Sequence, residues 1–545
     1  MAGKTSQARS VFSLFDAAAR RWPQRPFLDV LPETAAAYGI AAGALTYDAA
    51  RTSVAALTAA YRSAGYPAGA RVMLLVENRP SFVLHWLALN ALGISVVPVN
   101  PDLRESELDY MAAHAEPVLA VAVANRIADL EGASRRSGIG FPVIAPEDTL
   151  PRFAGKAPAP GMDTSPPARE AAMLYTSGTT GHPKGCILSN SYFLHAGDWY
   201  AGAGGVCALS QEGERMITSL PMFHMNAMAY SLMAMITVGG CLIVLDRFHP
   251  RSWWDSVRAS RATCLHYLGV MPSILMKAPP SPRDRDHAVR FGFGAGIDPK
   301  LQVPFEERFG IPLVEAWAMT ETGAGAVIAA NREPRRRGVS CLGRPEGAVE
   351  ARIVTDDGHP AGAGEPGELL VRHAGSNPRH GFFTAYYKDP EATAAAWEGG
   401  WFHTGDIVMR DASGDFFFVD RKKNVIRRSG ENIAAVEVET VLMQHPEIRA
   451  AAVAAAPDPV RGDEVFACLV VDGDGGPDRA RAIVAWCLER MAYYKAPGYV
   501  AFVDALPLTA TQKIQRGALK AEIRRLLDNQ TAYDTRAMKK RLVPS

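Results

Sequence analysis

Apolar and polar positions along the first third of the chain follow the helical period and then break into short apolar runs. Residues 45–66, LTYDAARTSVAALTAAYRSAGY, place apolar side chains at helical spacing after a short strand and stop at Gly65, the pattern of an amphipathic helix ended by glycine. Apolar runs at 70–76 and 94–99 flank a helical stretch at 81–92 that Gly93 closes. Strand, helix, strand in that order predicts a parallel sheet covered by helices. Residues 228–245 are nearly all apolar and long enough to raise a membrane span. Gly239 and Gly240 interrupt them, so we read a buried helix, a Gly-Gly turn and a buried strand ending at Asp246. Between 343 and 418 the chain turns to short alternating strands with Gly/Pro turns, as in VEARIVTDDG and GELLVRH, a small β-rich subdomain. A helix at 434–445, strands at 451–455 and 464–471, a helix at 479–491 and a strand at 499–502 then make an α+β unit of lid size. Residues beyond Leu527 are a polar, basic tail without a readable pattern.

Length and composition narrow this picture. At 545 residues the chain exceeds the ~250–300 residues at which a single core stops growing, so at least two domains are expected. Lysine plus arginine (58) balance aspartate plus glutamate (57), which leaves no global field for nucleic acid or an anionic membrane and points to a small-molecule partner. Seven cysteines, none in a Cys-x-x-Cys pair, form neither a zinc-finger pattern nor an even disulfide framework. The N-terminal MAGKTSQARS lacks the apolar core of a signal peptide, and Ala2 excludes myristoylation. A reducing cytoplasm is the expected location, with room for an oligomer.

The chemistry concentrates in short polar strings. The first is LYTSGTTGHPKG at 174–185, where Gly178 and Gly181 let backbone N–H groups approach an anion, Thr176, Ser177, Thr179 and Thr180 add hydroxyls, and Lys184 adds charge. It follows an apolar run at 171–175, so it would leave a strand end, where α/β folds bind ligands. Taken alone the string could equally be an ordinary surface turn. It is not a Walker loop, because Gly181 is followed by His-Pro-Lys-Gly instead of four residues and Gly-Lys-Ser/Thr. FGFGAG at 291–296 lacks the spacing of a dinucleotide fingerprint. EAWAMTETG at 315–323 sets an aromatic, a hydroxyl and a carboxylate together after an apolar strand, although Thr320 could simply cap a helix there. WFHTGD at 401–406, the basic run DRKKNVIRRSGEN at 420–432 and LPLTATQKIQR at 506–516 complete the set.

The phosphate-type string resembles the signature of the adenylate-forming superfamily, which comprises acyl-CoA synthetases, luciferases and the adenylation domains of peptide synthetases. Five of these strings carry the same resemblance in sequence order over about 45–519. The resemblance implies an α/β protein: a large N-terminal domain (1–420) of layered parallel sheets and helices with a small β-barrel-like subdomain at about 343–420, a hinge at 421–426, a mobile α+β C-terminal domain at 427–527, and a tail at 528–545. It assigns ATP to Thr176, Ser177, Gly178, Thr179, Thr180, Gly181 and Lys184, to Gly294, Ala295 and Gly296 with Glu315, Ala316 and Trp317 around adenine, and to Asp406 and Arg421 at the ribose. Thr320 is implied on the phosphate and Glu321 on Mg²⁺, a hard-oxygen ligand for a hard cation. Lys513 is implied as the lysine that bridges the attacking carboxylate and the α-phosphate, and Lys423 as the hinge. Ser429, Gly430 and Glu431 would line the thiol channel, and His224, Tyr267, Met271 and Ala318 the acyl pocket, His224 with a gating role and Met225–Met235 as a Met-rich wall or plain core.

Three positions depart from the family pattern: Trp317 replaces tyrosine, Ala318 replaces glycine, and Gln512 replaces glycine. The expected reaction is AMP-forming carboxylate–thiol ligation using ATP, Mg²⁺ and coenzyme A on a small carboxylic acid. The likeness is nearest to stand-alone ligases of the crotonobetaine/carnitine kind. A carrier-protein loading enzyme, a luciferase-like oxygenase and a silent AMP-binding sensor are the alternatives.

Overall fold

The computed structural model describes residues 8–155, 165–176, 183–355, 357–421, 425–507 and 514–540. Two sheets organise the large domain. In the first, Glu170–Thr176, Ser95–Pro98, Arg71–Leu75, Leu119–Ala122 and Val143–Ile144 lie side by side and parallel, so the two short runs read from the sequence sit in the same sheet as the strand that enters the phosphate-type loop. Lys184–Ser189 returns antiparallel to Glu170–Thr176. In the second sheet, Pro26–Val30, Cys241–Val244, Arg215–Thr218, Cys264–Leu268, Phe291–Ala295 and Leu313–Trp317 run parallel. Ile328–Ala329 then carries this sheet into the antiparallel ladder of the β-rich subdomain: Cys341–Pro345, Phe416–Arg421, Phe402–Arg410, Gly367–His373 and Val349–Val354. Strands buried on both faces read as continuous apolar runs, which is why CLIV at 241–244 carries no alternation.

Helices Tyr47–Ala64, Pro80–Ala91, Asn190–Gly202 and Leu232–Val238 share one apolar core with both sheets. The long apolar stretch at 228–245 resolves as a π-helical turn, Asn226–Ser231, running into Leu232–Val238, with Gly239 left-handed (φ +65°) before strand Cys241–Val244. Among the described residues no helix is long and apolar enough to cross a membrane. Met228, Met233 and Met235 are fully buried in this core, so the Met-rich stretch is core at these positions.

The C-terminal domain has a sheet of its own. Hairpin Val425–Arg428/Glu431–Ala434 and the long pair Ile448–Asp458/Gly462–Val471 are joined by Tyr499–Phe502, parallel to Gly462–Val471. Along Ile448–Asp458, Ala451 and Val453 face helices Ala435–Leu442 and Pro477–Arg490, while Ala452 and Ala454 face helix Arg516–Asp528. Period-2 alternation with both faces covered gives the apolar run AAAVAAA.

The structure adds to the sequence reading at two places. The basic run at 420–432 contains a β-hairpin as well as a connection. Residues 528–540 pack on the domain: Tyr533–Asp534 adds an antiparallel strand to Tyr499–Phe502, and Lys539 is buried in an ion pair with Glu464, which Arg428 also engages. A buried cation in a polar tail leaves no apolar signal in the sequence, which is why the sequence has no readable pattern there.

Candidate active site

Sheet register builds the anion end of the site. Thr176 and Lys184 are paired residues on adjacent antiparallel strands, so the strands bring both to the mouth of the intervening loop. The Lys184 ammonium lies 3.3 Å from the Asp389 carboxylate and 4.8 Å over the Tyr386 ring. Ser177, Gly178, Thr179, Thr180 and Gly181 lie outside the described residues, as do Lys423, Gln512 and Lys513; the side chain of Arg421 is likewise outside the description.

After strand Leu313–Trp317 the chain does not start an α-helix at Thr320. It makes a turn in which the Met319 N–H is donated to Thr322 Oγ1 (2.9 Å), followed by one 3₁₀ turn at Gly323–Gly325. Gly323 has φ +48°, and a Cβ there would lie 2.3 Å from the Tyr192 ring, so only glycine fits. The Tyr192 hydroxyl donates to the Thr320 carbonyl (2.9 Å) and that of Tyr230 to the Gly323 carbonyl (2.9 Å). Glu321, 6% exposed, accepts from the Tyr386 hydroxyl (2.9 Å) and lies 3.4 Å from the Thr176 hydroxyl. Burial, with the adjacent Glu321 charge, pushes the Tyr386 hydroxyl far above its ordinary range, so it remains a donor.

The adenine side has two layers. Gly294, Ala295, Ala316 and Ala318 line the cavity, and a Cβ on Gly294 would lie 2.2 Å from the Tyr267 carbonyl oxygen. Glu315 is buried behind them: its carboxylate accepts from Gly296 N (2.9 Å), Ile297 N (3.1 Å) and the Tyr267 hydroxyl (2.8 Å). Burial raises its pKa against those three bonds. Glu315 therefore positions the glycine turn. Tyr267, fully buried and committed to Glu315, is placed in the core and not on the cavity wall expected from the sequence, and Met271 is likewise buried, with Ser219 Oγ 3.6 Å from its sulfur. The reason is register: Tyr267 faces the neighbouring strands Phe291–Ala295 and Leu313–Trp317, not the strand ends.

Asp406, 1% exposed, lies on the cavity beside Gly405, opposite Arg421 in the strand register. Trp317 donates its indole N–H to Asp406 (2.8 Å), so the aromatic that replaces the family's tyrosine also fixes the proposed ribose carboxylate.

The third wall comes from the small domain. Ser429 (φ +50°) and Gly430 (φ +92°) form a two-residue hairpin turn with both positions left-handed, and a Cβ on Gly430 would lie 2.1 Å from Leu268. This close approach sets the Glu431 carboxylate 3.4 Å from His224 Nε2. His224, Thr320, Glu321, Lys184, Asp406, Gly430 and Glu431 thus open onto one cavity of about 850 Å³. Beyond the Gly430–Leu268 contact, the domains meet through polar groups: Lys495 sits between Glu107 of the large domain and Glu437 of its own, Asn100 donates to Tyr494 (3.0 Å) and Ser106 to the Arg490 carbonyl (2.9 Å). Burial opposes the Lys495 charge, but the two carboxylates hold it above the usual lysine range.

Tyr192, Tyr230, Tyr386 and Asp389 were missed by sequence reasoning. None belongs to a short string. Each reaches the site from an element distant in sequence: Tyr192 and Tyr230 are polar tips on largely apolar segments, while Tyr386 and Asp389 lie in a polar stretch where Asp389 reads only as the cap of helix Pro390–Ala396.

The chain matches the family model for the AMP-binding enzyme over residues 15–381 and that for the AMP-binding enzyme C-terminal domain over 437–513. It is 32% identical over 511 residues to a sulfoacetate–CoA ligase of Cupriavidus necator, covering 91% of this chain and 95% of that protein. It is 32% identical over 474 residues to a crotonobetaine/carnitine–CoA ligase of Salmonella arizonae, covering 84% and 90%. Its fold is similar to a malonyl-CoA ligase solved as a product complex with methylmalonyl-CoA and AMP, with TM-score 0.71, 27% identity and coverage of 89% and 96%.

Proposed function

This chain belongs to the AMP-binding enzyme family, and from that premise we propose that it joins a carboxylic acid to coenzyme A at the expense of ATP. It is an acyl-CoA synthetase of the AMP-forming kind. A carboxylate is a poor electrophile because its leaving group would be oxide. In the first half-reaction a carboxylate oxygen attacks the α-phosphorus of ATP, the bond to the β-phosphate oxygen breaks, and pyrophosphate leaves. In the second, the coenzyme A sulfur attacks the acyl carbon, its proton is lost, and AMP leaves with the carboxylate oxygen.

The observation that carries this reading is the single cavity that joins Thr176, Lys184 and Glu321 at one end to His224 and the Gly430–Glu431 turn at the other. Lys184 and the loop at 177–181 hold the polyphosphate, Asp406 accepts the ribose hydroxyls, and the Glu315-braced turn of Gly294–Gly296 backs the adenine. Glu321 supplies a hard carboxylate oxygen that fits Mg²⁺, with the Thr176 hydroxyl beside it and the Tyr386 hydroxyl orienting the carboxylate through its hydrogen bond. When bound there, the ion supplies charge neutralisation to the phosphates. Lys513 acts only while the carboxylate attacks phosphorus, and rotation about Lys423 exchanges it for the Ser429–Glu431 turn. The turn's place beside His224 suits the thioester half.

The test is product analysis over a panel of short and medium carboxylic acids with and without coenzyme A. AMP, pyrophosphate and acyl-CoA are expected, with Mg²⁺ required. ADP and phosphate in place of AMP and pyrophosphate overturn the reading.

A further inference from the structure

Behind the turn that carries Thr320 and Glu321, three histidines distant in sequence converge. His195 comes from helix Asn190–Gly202, His373 ends strand Gly367–His373, and His380 lies in the loop that follows. We propose that His195, His373 and His380 bind one divalent first-row transition-metal ion, zinc foremost, as a brace for the back of the active-site turn.

Three features carry this. One ring nitrogen from each residue lies within 4.8 Å of the other two, and the rings stand at 69°, 72° and 74° to one another, so they surround one point and do not stack. Zinc–imidazole bonds of ~2.0–2.1 Å place tetrahedral ligand nitrogens ~3.3 Å apart, a closure of ~1.5 Å at most that side-chain rotation supplies. Second, His195 is packed against the loop that carries His380: a Cβ on Gly381 would lie 2.4 Å from its ring, so helix and loop hold these two rings against one another. Third, among the described residues no carboxylate pairs with any of the three rings, so a salt bridge does not explain the convergence.

The ion would tie together elements that already share backbone bonds at the active site. The Gly325 N–H is donated to the Gly381 carbonyl (3.3 Å) and that of Phe383 to the Glu321 carbonyl (2.8 Å). Tyr192, three residues before His195 on the same helix, holds the Thr320 carbonyl. Each ring is half-buried, which leaves the fourth position to water. Imidazole nitrogens do not suit Mg²⁺, so the site is independent of the catalytic ion.

The experiment uses the full chain, stripped with chelator and titrated with Co²⁺ by absorption spectroscopy and with Zn²⁺ by competition. One equivalent is expected, with the ligand-field bands of nitrogen-coordinated cobalt and a zinc-dependent rise in melting temperature. His373→Gln and His380→Gln should each weaken binding at least ~10-fold and abolish the zinc-dependent rise, without altering the metal-free melting temperature. His195 abuts Gly381, so the variants are placed on the other two rings. Absence of saturable one-to-one binding, or equal affinity in both variants, overturns the proposal.

Discussion

The two domains are built on opposite principles. The large domain holds its site with glycines, strand ends and tyrosine hydroxyls anchored in one apolar core shared by both sheets, so the positions of Thr176, Glu321 and Asp406 are set by groups that cannot move independently. The small domain has separate apolar clusters of its own and meets the large one through the ion pairs of Lys495 and the hydrogen bonds of Asn100 and Ser106. Apolar packing gives a rigid template; polar contacts, which water can replace, give an interface that can open and re-form. A two-step ligase needs both.

The strongest way to break that comparison is to separate the half-reactions. Lys513→Ala should slow adenylation by ~100-fold or more, as loss of one oxyanion-stabilising donor does, yet still convert supplied acyl-adenylate to thioester. Lys423→Pro should do the reverse, since proline fixes φ near ~−65° and restrains its neighbour where rotation is required. Single-turnover assays of each half read this out. Equal loss of both halves in folded Lys513→Ala would rule out alternation.

Within the rigid half, Asp406→Ala removes a buried carboxylate that Trp317 orients. ATP affinity should fall by ~10–100-fold, the worth of one charge-assisted hydrogen bond at ~1.5–3 kcal/mol, with acyl-substrate affinity little changed. Trp317→Phe, which keeps the ring and loses the N–H donor, should show a smaller loss in the same nucleotide titration. An unchanged ATP affinity in folded Asp406→Ala returns that residue to an ordinary strand position.

At the interface, Lys495→Met leaves Glu107 and Glu437 facing each other without their shared cation. Like charges at contact disfavour docking, so the thioester half should slow several-fold while adenylation changes less. If adenylation suffers more, the docked arrangement serves the first half-reaction instead.

What was legible in the sequence followed from locality. Gly178, Gly181 and Lys184, or Thr320 and Glu321, are close in the chain because one turn must present them together, and strand–helix periods of 2 and 3.6 mark the elements that hold such turns. Tyr267 was misplaced because a tyrosine beside a glycine-rich strand end fits a pocket wall as well as a buried hydroxyl donor, and only the register against Glu315 decides between them. Tyr386 and Asp389 reach Glu321 and Lys184 from more than sixty residues away in each case. The final segment was silent for a different reason: its anchor is an ion pair, and ion pairs have no periodicity.

That anchor gives the smallest and most specific effect. Glu464 is shared by Arg428 and Lys539, all three buried, so one carboxylate faces two cations. Burial, with the Arg428 charge, brings Lys539 down to about 7 despite Glu464, while Lys539 and Arg428 outweigh burial to hold Glu464 below the usual carboxylate range. An unfolded lysine titrates near ~10.4. Between about 7 and that value the unfolded chain binds a proton that the folded chain has released, so the contribution of Lys539 to stability rises with pH across this window and is least favourable below it. Lys539→Met keeps the length and apolar stem and leaves the Arg428–Glu464 pair balanced. Removing one partner of a buried pair destabilises because it leaves a charge uncompensated, but here Arg428 still balances Glu464 and the burial cost of the second cation is removed, so the variant should protect strand Gly462–Val471 from hydrogen exchange more than wild type at pH 6, with the gap narrowing as pH approaches 10. A gap that stays constant with pH, or a variant less stable than wild type at pH 6, would mean that Lys539 is held charged and that the tail is locked by its ion pair.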